Sequence, residues 1–319
     1  ATGDITTNGG DYTATAAGYY EMKDSGIDTA SVVTDGGNIN IQANNDIIVG
    51  RLDAGTSFAY IQLNSKGSIV DAGDTGGADI SGPAGTWAEL IATGNIGTPT
   101  DSIETALTGF AAQSVNGSIN IHETGGSVTV GDFVPLGGTI TGIQAEGDVN
   151  LLISESLIQV AGCDIVSNSG SVNITVGDTV STGHFSQNDD SNIKAKNNVF
   201  IQTQSNGYVE LDEILAGNLV EIYAGNVTET GDVDVDIASQ QLIIDTSTGV
   251  GVGDALETQV SNLAARTTTS GGIYISNTDG LTLADIVGWG YAVNSADAVE
   301  ISATSPLNVN SDVTAVGNI

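Results

Sequence analysis

Apolar residues recur at every second position in short runs along this chain, and glycine, asparagine and aspartate separate the runs. In Asn38-Ile39-Asn40-Ile41-Gln42-Ala43 the two isoleucines fall on one face; an Asn44-Asn45-Asp46 turn follows, and then Ile47-Ile48-Val49-Gly50. The same pattern appears in Tyr60-Ile61-Gln62-Leu63, Ser171-Val172-Asn173-Ile174, Phe200-Ile201-Gln202 and Asp232-Val233-Asp234-Val235-Asp236-Ile237. Alternation of this kind, rich in β-branched residues, predicts strands of about four to six residues with one buried face. In the last of these runs it places Asp234 and Asp236 on the outward side.

A longer period overlies the short one. Ala1-Thr2-Gly3-Asp4-Ile5-Thr6-Thr7-Asn8-Gly9-Gly10 aligns without a gap to Ala161-Gly162-Cys163-Asp164-Ile165-Val166-Ser167-Asn168-Ser169-Gly170. Ile103-Glu104-Thr105 returns as Leu256-Glu257-Thr258, and Gly117-Ser118-Ile119-Asn120-Ile121 returns as Gly271-Gly272-Ile273-Tyr274-Ile275. Asp312 to Ile319 then read like the opening of a third copy. Strands that repeat without a linker stack like on like, whereas a sandwich closes around one core, so the expected fold is an all-β parallel β-helix, a β-solenoid. Its units are expected at 1–160 and 161–309, each about 150 to 160 residues, with 310–319 opening a third unit or meeting the next subunit in one continuous rod. Coils of about 20 to 22 residues would give roughly seven per unit. Proline is rare (Pro83, Pro99, Pro135, Pro306), as a ladder that needs its backbone donors requires.

Two stretches, 101–115 and 254–266, fit this pattern less well. Asp101-Ser102-Ile103-Glu104 and Asp254-Ala255-Leu256-Glu257 resemble capping boxes, and Ile103, Leu107, Phe110 and Ala111 follow helical spacing, as do Leu256, Val260, Leu263 and Ala264. Leu256, Thr258 and Val260 also alternate, and Thr267-Thr268-Thr269 follows at once, so strands are the expectation, with a short helix as the alternative.

Composition narrows the partners. Six basic residues face 39 acidic ones, a net charge of −33, which leaves little to neutralise phosphates or to hold an anionic membrane. Hydrophobic residues make up 39% of the chain, enough to fold despite the charge. No apolar run reaches membrane-spanning length, and without an initiator methionine or signal segment the sequence is expected to be a mature or excerpted piece. Few lysines, one cysteine and abundant Thr, Ser, Asn and Gly suit a secreted surface protein.

Candidate chemistry is sparse. His122 and His184 lie in different parts of the repeat, and Ser276 replaces the first in the second copy, so neither is expected to be catalytic or a metal ligand. Cys163 stands where the first copy has Gly3 and is expected to be a small wall residue. Carboxylate pairs such as Asp234 with Asp236 would suit glycoside hydrolysis, but acids are too abundant for a pair to be informative, and Lys194 with Lys196 is the only close basic pair for an acidic polysaccharide. The chain is therefore not expected to be an enzyme or to carry an organic cofactor. Calcium is the reasonable inorganic partner, with Asp71, Asp74, Asp79, Asp189 and Asp190 as candidate turn ligands, although no EF-hand loop or glycine-rich nonapeptide is present and solvated acids would look the same. Tyr19, Tyr20, Trp87 and Trp289 are candidate stacking surfaces for sugars or packed wall residues.

Gly36-Gly37-Asn38-Ile39-Asn40-Ile41-Gln42-Ala43, with Asp46-Ile47 and Leu52-Asp53-Ala54-Gly55, and Gly271 through Leu283 resemble the repeats of very large filamentous-haemagglutinin-type exoproteins over nearly the whole chain. That resemblance implies a right-handed parallel β-helix, export, and service as a cell-surface adhesin or fibre shaft; it carries over no functional residue. The expectation is thus an extracellular structural solenoid that stacks end to end with copies of itself or with neighbouring repeats of a longer chain. Asp4, Ile5, Asp312, Val313 and Ile319 mark the edges expected to meet. An adhesin binding a surface glycan is the alternative.

Overall fold

The computed structural model describes residues 3–23, 30–73, 77–132, 140–180, 182–231 and 234–319. These residues hold 35 strands and no helix, and every strand-to-strand ladder is parallel, so the fold is an all-β parallel β-solenoid. The chain divides into two compact units, Ala1–Ser154 with Cys163–Asn168, and Glu155–Gly162 with Ser169–Ile319.

In the first unit, each inward residue sits above its counterpart one coil earlier. One ladder runs Ala14, Ile41, Leu63, Leu90, Ala112, Ile143 and Ile165; another runs Tyr20, Ile47, Ile69, Ile96, Ile119 and Val149. From Ile41 to Ile165 and from Ile47 to Val149 every one of these side chains is buried. Period-two alternation puts the intervening Asn40 and Gln62 outside, where the Asn40 amide donates to Gln62 Oε1 at 2.8 Å and the Gln62 amide donates to Glu89 Oε2 at 2.5 Å. Polar side chains thus pair along the axis just as the apolar ones do.

Coil length departs from the expected 20 to 22 residues. Successive rungs in the first unit lie 27, 22, 27, 22, 31 and 22 residues apart (Tyr12 to Ile39 to Ile61, Tyr60 to Trp87 to Gly109, Ala112 to Ile143 to Ile165), so long and short coils alternate. Long coils carry their extra residues between two strands, as between Tyr20–Glu21 and Ser31–Val33 and between Ile69–Asp71 and Ile80–Ser81. Extra loop residues leave the register intact because closure entropy grows only slowly with length.

The strand ends keep the same beat. Ala43, Ser65, Ala92, Ser114, Ala145 and Ser167 are successive rungs, alanine and serine in turn. Each serine is buried and donates its hydroxyl to a carbonyl: Ser65 to Asn45 at 2.7 Å, Ser114 to Gly94 at 2.6 Å and Ser167 to Gly147 at 2.7 Å. A buried hydroxyl needs such an acceptor. Trp87 lies over Gly109, where a Cβ would fall 2.6 Å from the indole, so a side chain on that rung would displace the ring.

The second unit is built alike, without the alternating coil lengths. Leu157, Phe185, Val209, Val227, Val250, Ile273 and Val299 form one ladder, and Val172, Val199, Val220, Leu242, Leu263, Leu283 and Val309 another.

Both ambiguous stretches are strands: Ile103–Ala106 and Gly109–Ser114 in one unit, Leu256–Thr267 in the other. Ladder pairing overrides the helical spacing, since Leu256, Thr258 and Val260 all point inward and are buried. The run ending at Ile237 differs from its expectation. Its described strand begins at Ile237, and Asp236 is buried rather than outward.

Replacing Ile41 with alanine should lower the unfolding free energy by about 2–5 kcal/mol in a urea titration, because the ladder above and below cannot collapse into the gap. Replacing exposed Gln42 with alanine should change it by no more than about 0.5 kcal/mol.

Candidate functional site

Three carboxylates meet at one corner of the first unit. Asp71 closes strand Ile69–Asp71, Asp79 immediately precedes strand Ile80–Ser81, and Glu104 lies on strand Ile103–Ala106 one coil later, where Ile80 pairs with Thr105. Each offers one oxygen within 4.8 Å of the others. Asp79 Oδ2 accepts the Glu104 backbone N–H at 2.9 Å, and Asp71 Oδ1 accepts that of Gly73 at 2.9 Å. Asp71 and Asp79 are 5% and 2% exposed, and Asp71 Oδ2 is buried with no hydrogen-bond partner.

The second unit repeats the corner. Glu229 closes strand Asn226–Glu229, Asp236 precedes the strand from Ile237, and Glu257 lies on Leu256–Thr267, where Ile237 pairs with Thr258. Again one oxygen from each lies within 4.8 Å of the others. Asp236 Oδ2 accepts the Glu257 N–H at 2.6 Å, and Glu229 Oε2 accepts the Gly231 N–H at 2.5 Å, the same two bonds as in the first unit.

Burial of like charges shapes the electrostatics. Burial, and then the neighbouring Asp71 charge, push the Asp79 carboxyl far above its ordinary value, although the Glu104 N–H pulls the other way. Asp101 is raised as well, by burial and then by its hydrogen bonding and charge interaction with Asp71. Such a corner can share protons among its carboxyls or hold a hard cation through oxygen alone.

One buried acid nearby is handled differently. Glu123 accepts the Thr105 hydroxyl at 2.7 Å and the backbone N–H groups of Leu107 at 3.1 Å and Gly125 at 2.7 Å. Burial pushes its carboxyl up to about 7 against those donors. In the second unit Asn277 does the same work, accepting the Thr258 hydroxyl and the Val260 N–H, both at 2.9 Å.

The structure sorts the remaining candidates. Of the expected calcium ligands, Asp71 and Asp79 come together, and Asp74 lies outside the described residues. Asp189 and Asp190 belong to neither triad; with Asp212, Glu213 and Asp234 they line an acidic cleft of about 590 Å3 in the second unit. His184 stacks on Tyr208 at 3.9 Å and accepts its backbone N–H through Nδ1. Cys163 is buried, and burial and then the Asp132 charge raise its thiol. The Arg266 guanidinium lies 4.5 Å over the Trp289 ring and is held by both Asp245 oxygens, so that face of Trp289 is covered. At the edges, Asp4 Oδ1 accepts the Ser31 N–H and hydroxyl, Ile5 pairs with Val32, the Asp312 carbonyl accepts from Ala292, Val313 pairs with Val293, and Ile319 is exposed.

Sequence reasoning passed over Glu104, Glu229, Asp236 and Glu257 as ligands. The return of Ile103-Glu104-Thr105 as Leu256-Glu257-Thr258, with Asp79-Ile80 returning as Asp236-Ile237, carried the signal. Fold and corners together define an acidic parallel β-solenoid with matched carboxylate clusters. In comparisons with known proteins, no family model, no curated protein and no solved structure matches the chain.

Because Glu123 is raised from 4.5 to about 7, the folded chain holds a proton that the unfolded chain has released across that window. The associated stability is complete below the unfolded value and lost as pH rises through 7, about 3 kcal/mol in all. Urea midpoints should therefore show that Glu123→Gln, which cannot ionise, loses less stability between pH 5 and pH 8 than the parent does. An identical decline in both would refute the assignment.

Proposed function

We propose that this protein is a structural β-solenoid, a segment of an extracellular shaft or filament assembled by coil-on-coil stacking. One observation carries the reading: in the second unit the coil-on-coil ladder continues to the last described coil, whose apolar face another coil of the same construction, in this chain or another, would cover. Leu307 pairs with Leu281 and Val309 with Leu283, yet Leu307 and Val309 are 44% and 59% exposed where Leu281 and Leu283 are 1% and 3%. Leu283, Val299, Leu307, Val309 and Ile319 line an apolar hollow of about 340 Å3 there. Every earlier rung of that ladder is covered by the next, and a further coil of the same construction would bury this one.

The proposed occupant is the opening coil of another repeat, containing Ile5–Thr6 and Tyr12–Ala16, strands that among the described residues pair on one side only. A head-to-tail contact of this kind does not close, so it propagates. Resemblance to haemagglutinin-type exoprotein repeats supports the same reading and the proposed location at the cell surface. The net charge of −33 supports it too, since it disfavours nucleic acid and anionic membranes as partners. No enzymatic role is proposed.

Electron micrographs of the native material should show continuous filaments, and the double variant Leu307→Lys with Val309→Lys should abolish end-to-end growth while leaving the fold intact by circular dichroism. Isolated particles from the parent protein, unchanged by the variant, would overturn the proposal. Intact mass separates the two sources of the next coil: 32.1 kDa for stacked protomers, a far larger value for a covalent array. An adhesin would instead bind glycans at high salt with or without the two lysines.

A further inference from the structure

We propose that the two corner clusters are a matched pair of calcium sites, one in each unit: Asp71, Asp79 and Glu104 in the first, Glu229, Asp236 and Glu257 in the second. Geometry fits the ion. Calcium binds oxygens at about 2.3–2.6 Å, so ligands on opposite sides of it lie up to roughly 5 Å apart, and each triad brings its three oxygens within 4.8 Å of one another. Nitrogen and sulfur are absent from both triads, which points to a hard cation rather than zinc or copper. Magnesium keeps most of its waters and favours one or two carboxylates, whereas three converging carboxylates suit the ion that sheds water readily.

Asp71 gives a second, independent indication. Its Oδ2 is buried and no hydroxyl, amide or backbone N–H donates to it; the groups that face it are other acids, Asp79 and Asp101, which can reach it only by sharing a proton. A buried, unsatisfied carboxylate oxygen turned toward other carboxylates is costly unless something positive completes it.

Recurrence is a third. Between the copies Asp71 becomes Glu229, and Ala72 becomes Thr230, yet an acid persists at all three positions and the two backbone bonds that orient them are repeated. The bond to the N–H two residues on is a general turn device, formed also by Asp53 and Glu123, so what the recurrence adds is the persistence of three converging acids and of the bond between coils. In each unit two ligands flank one corner and the third comes from the following coil, so a bound ion would tie adjacent coils together where the ladder is interrupted.

The test uses the full chain, stripped with chelator and titrated with calcium chloride by calorimetry at physiological ionic strength. Two saturable sites are expected, with a rise in the thermal midpoint on calcium addition. Asp79→Asn and Asp236→Asn keep an oxygen for the Glu104 and Glu257 N–H groups and should each remove one site; the double variant should remove both and the calcium-dependent shift. Should either fail to fold by circular dichroism, Glu104→Gln and Glu257→Gln take its place. Weak, non-saturating heat from the parent would overturn the proposal, as surface charge alone would produce it. So would binding that the double variant leaves unchanged.

Discussion

Everything in this molecule depends on registered stacking: a residue on one coil must suit the residues directly above and below it, because parallel backbone bonds leave no freedom to slip. A one-residue shift would turn Ile41, Leu63 and Leu90 outward together and bring Asn40 and Gln62 in. The same constraint governs polar side chains. Asn40, Gln62 and Glu89 find one another only because they share a line along the axis, and a serine hydroxyl finds its carbonyl because the turn of the preceding coil is always in the same place. Local insertions are tolerated because they fall between paired strands, outside the ladders that set the register.

Alternation in single runs was enough to read the strands and their buried faces, and the longer repeat was enough to read the parallel stacking. Ile39 with Ile41, Ile61 with Leu63 and Val172 with Ile174 all proved inward, as period-two spacing required. What resisted reading was whatever depends on a residue far along the chain. Glu104 and Glu257 look like capping residues of a helix until the aspartate of the previous coil is placed beside their backbone. Asp236 looks like the outward member of an alternating strand until the corner is seen to turn there. The alternation of long and short coils was hidden for a related reason: rung spacing is a property of pairs, and no single run reveals which residue lies beneath it.

The two units also show what duplication preserves. Acids persist at the corner although one of the three changes length, Asp71 to Glu229, while at the Glu123 position the carboxylate gives way to the Asn277 amide with its acceptor role intact. Hydrogen-bond acceptance is the requirement in the second case, negative charge in the first. A carboxylate satisfied by a hydroxyl and backbone donors can be exchanged for a neutral acceptor; carboxylates that face one another cannot, if a cation is what they serve.

The alanine and serine rungs of the first unit have a consequence for how such a structure changes its length. From Ala43 through Ser65, Ala92, Ser114, Ala145 and Ser167 the two residues alternate, although Ala16 beneath Ala43 sets two alanines in register; within the alternating stretch, loss or gain of a single coil would bring like residues together, whereas a pair of coils restores the order. Within that stretch the smallest segment that recombination can add or remove without disturbing the wall is therefore a long coil together with a short one, 27 and 22 residues from Tyr60 to Trp87 to Gly109. From Ala43 to Ser167 the wall thus counts in twos, a grain finer than the duplication and coarser than the coil.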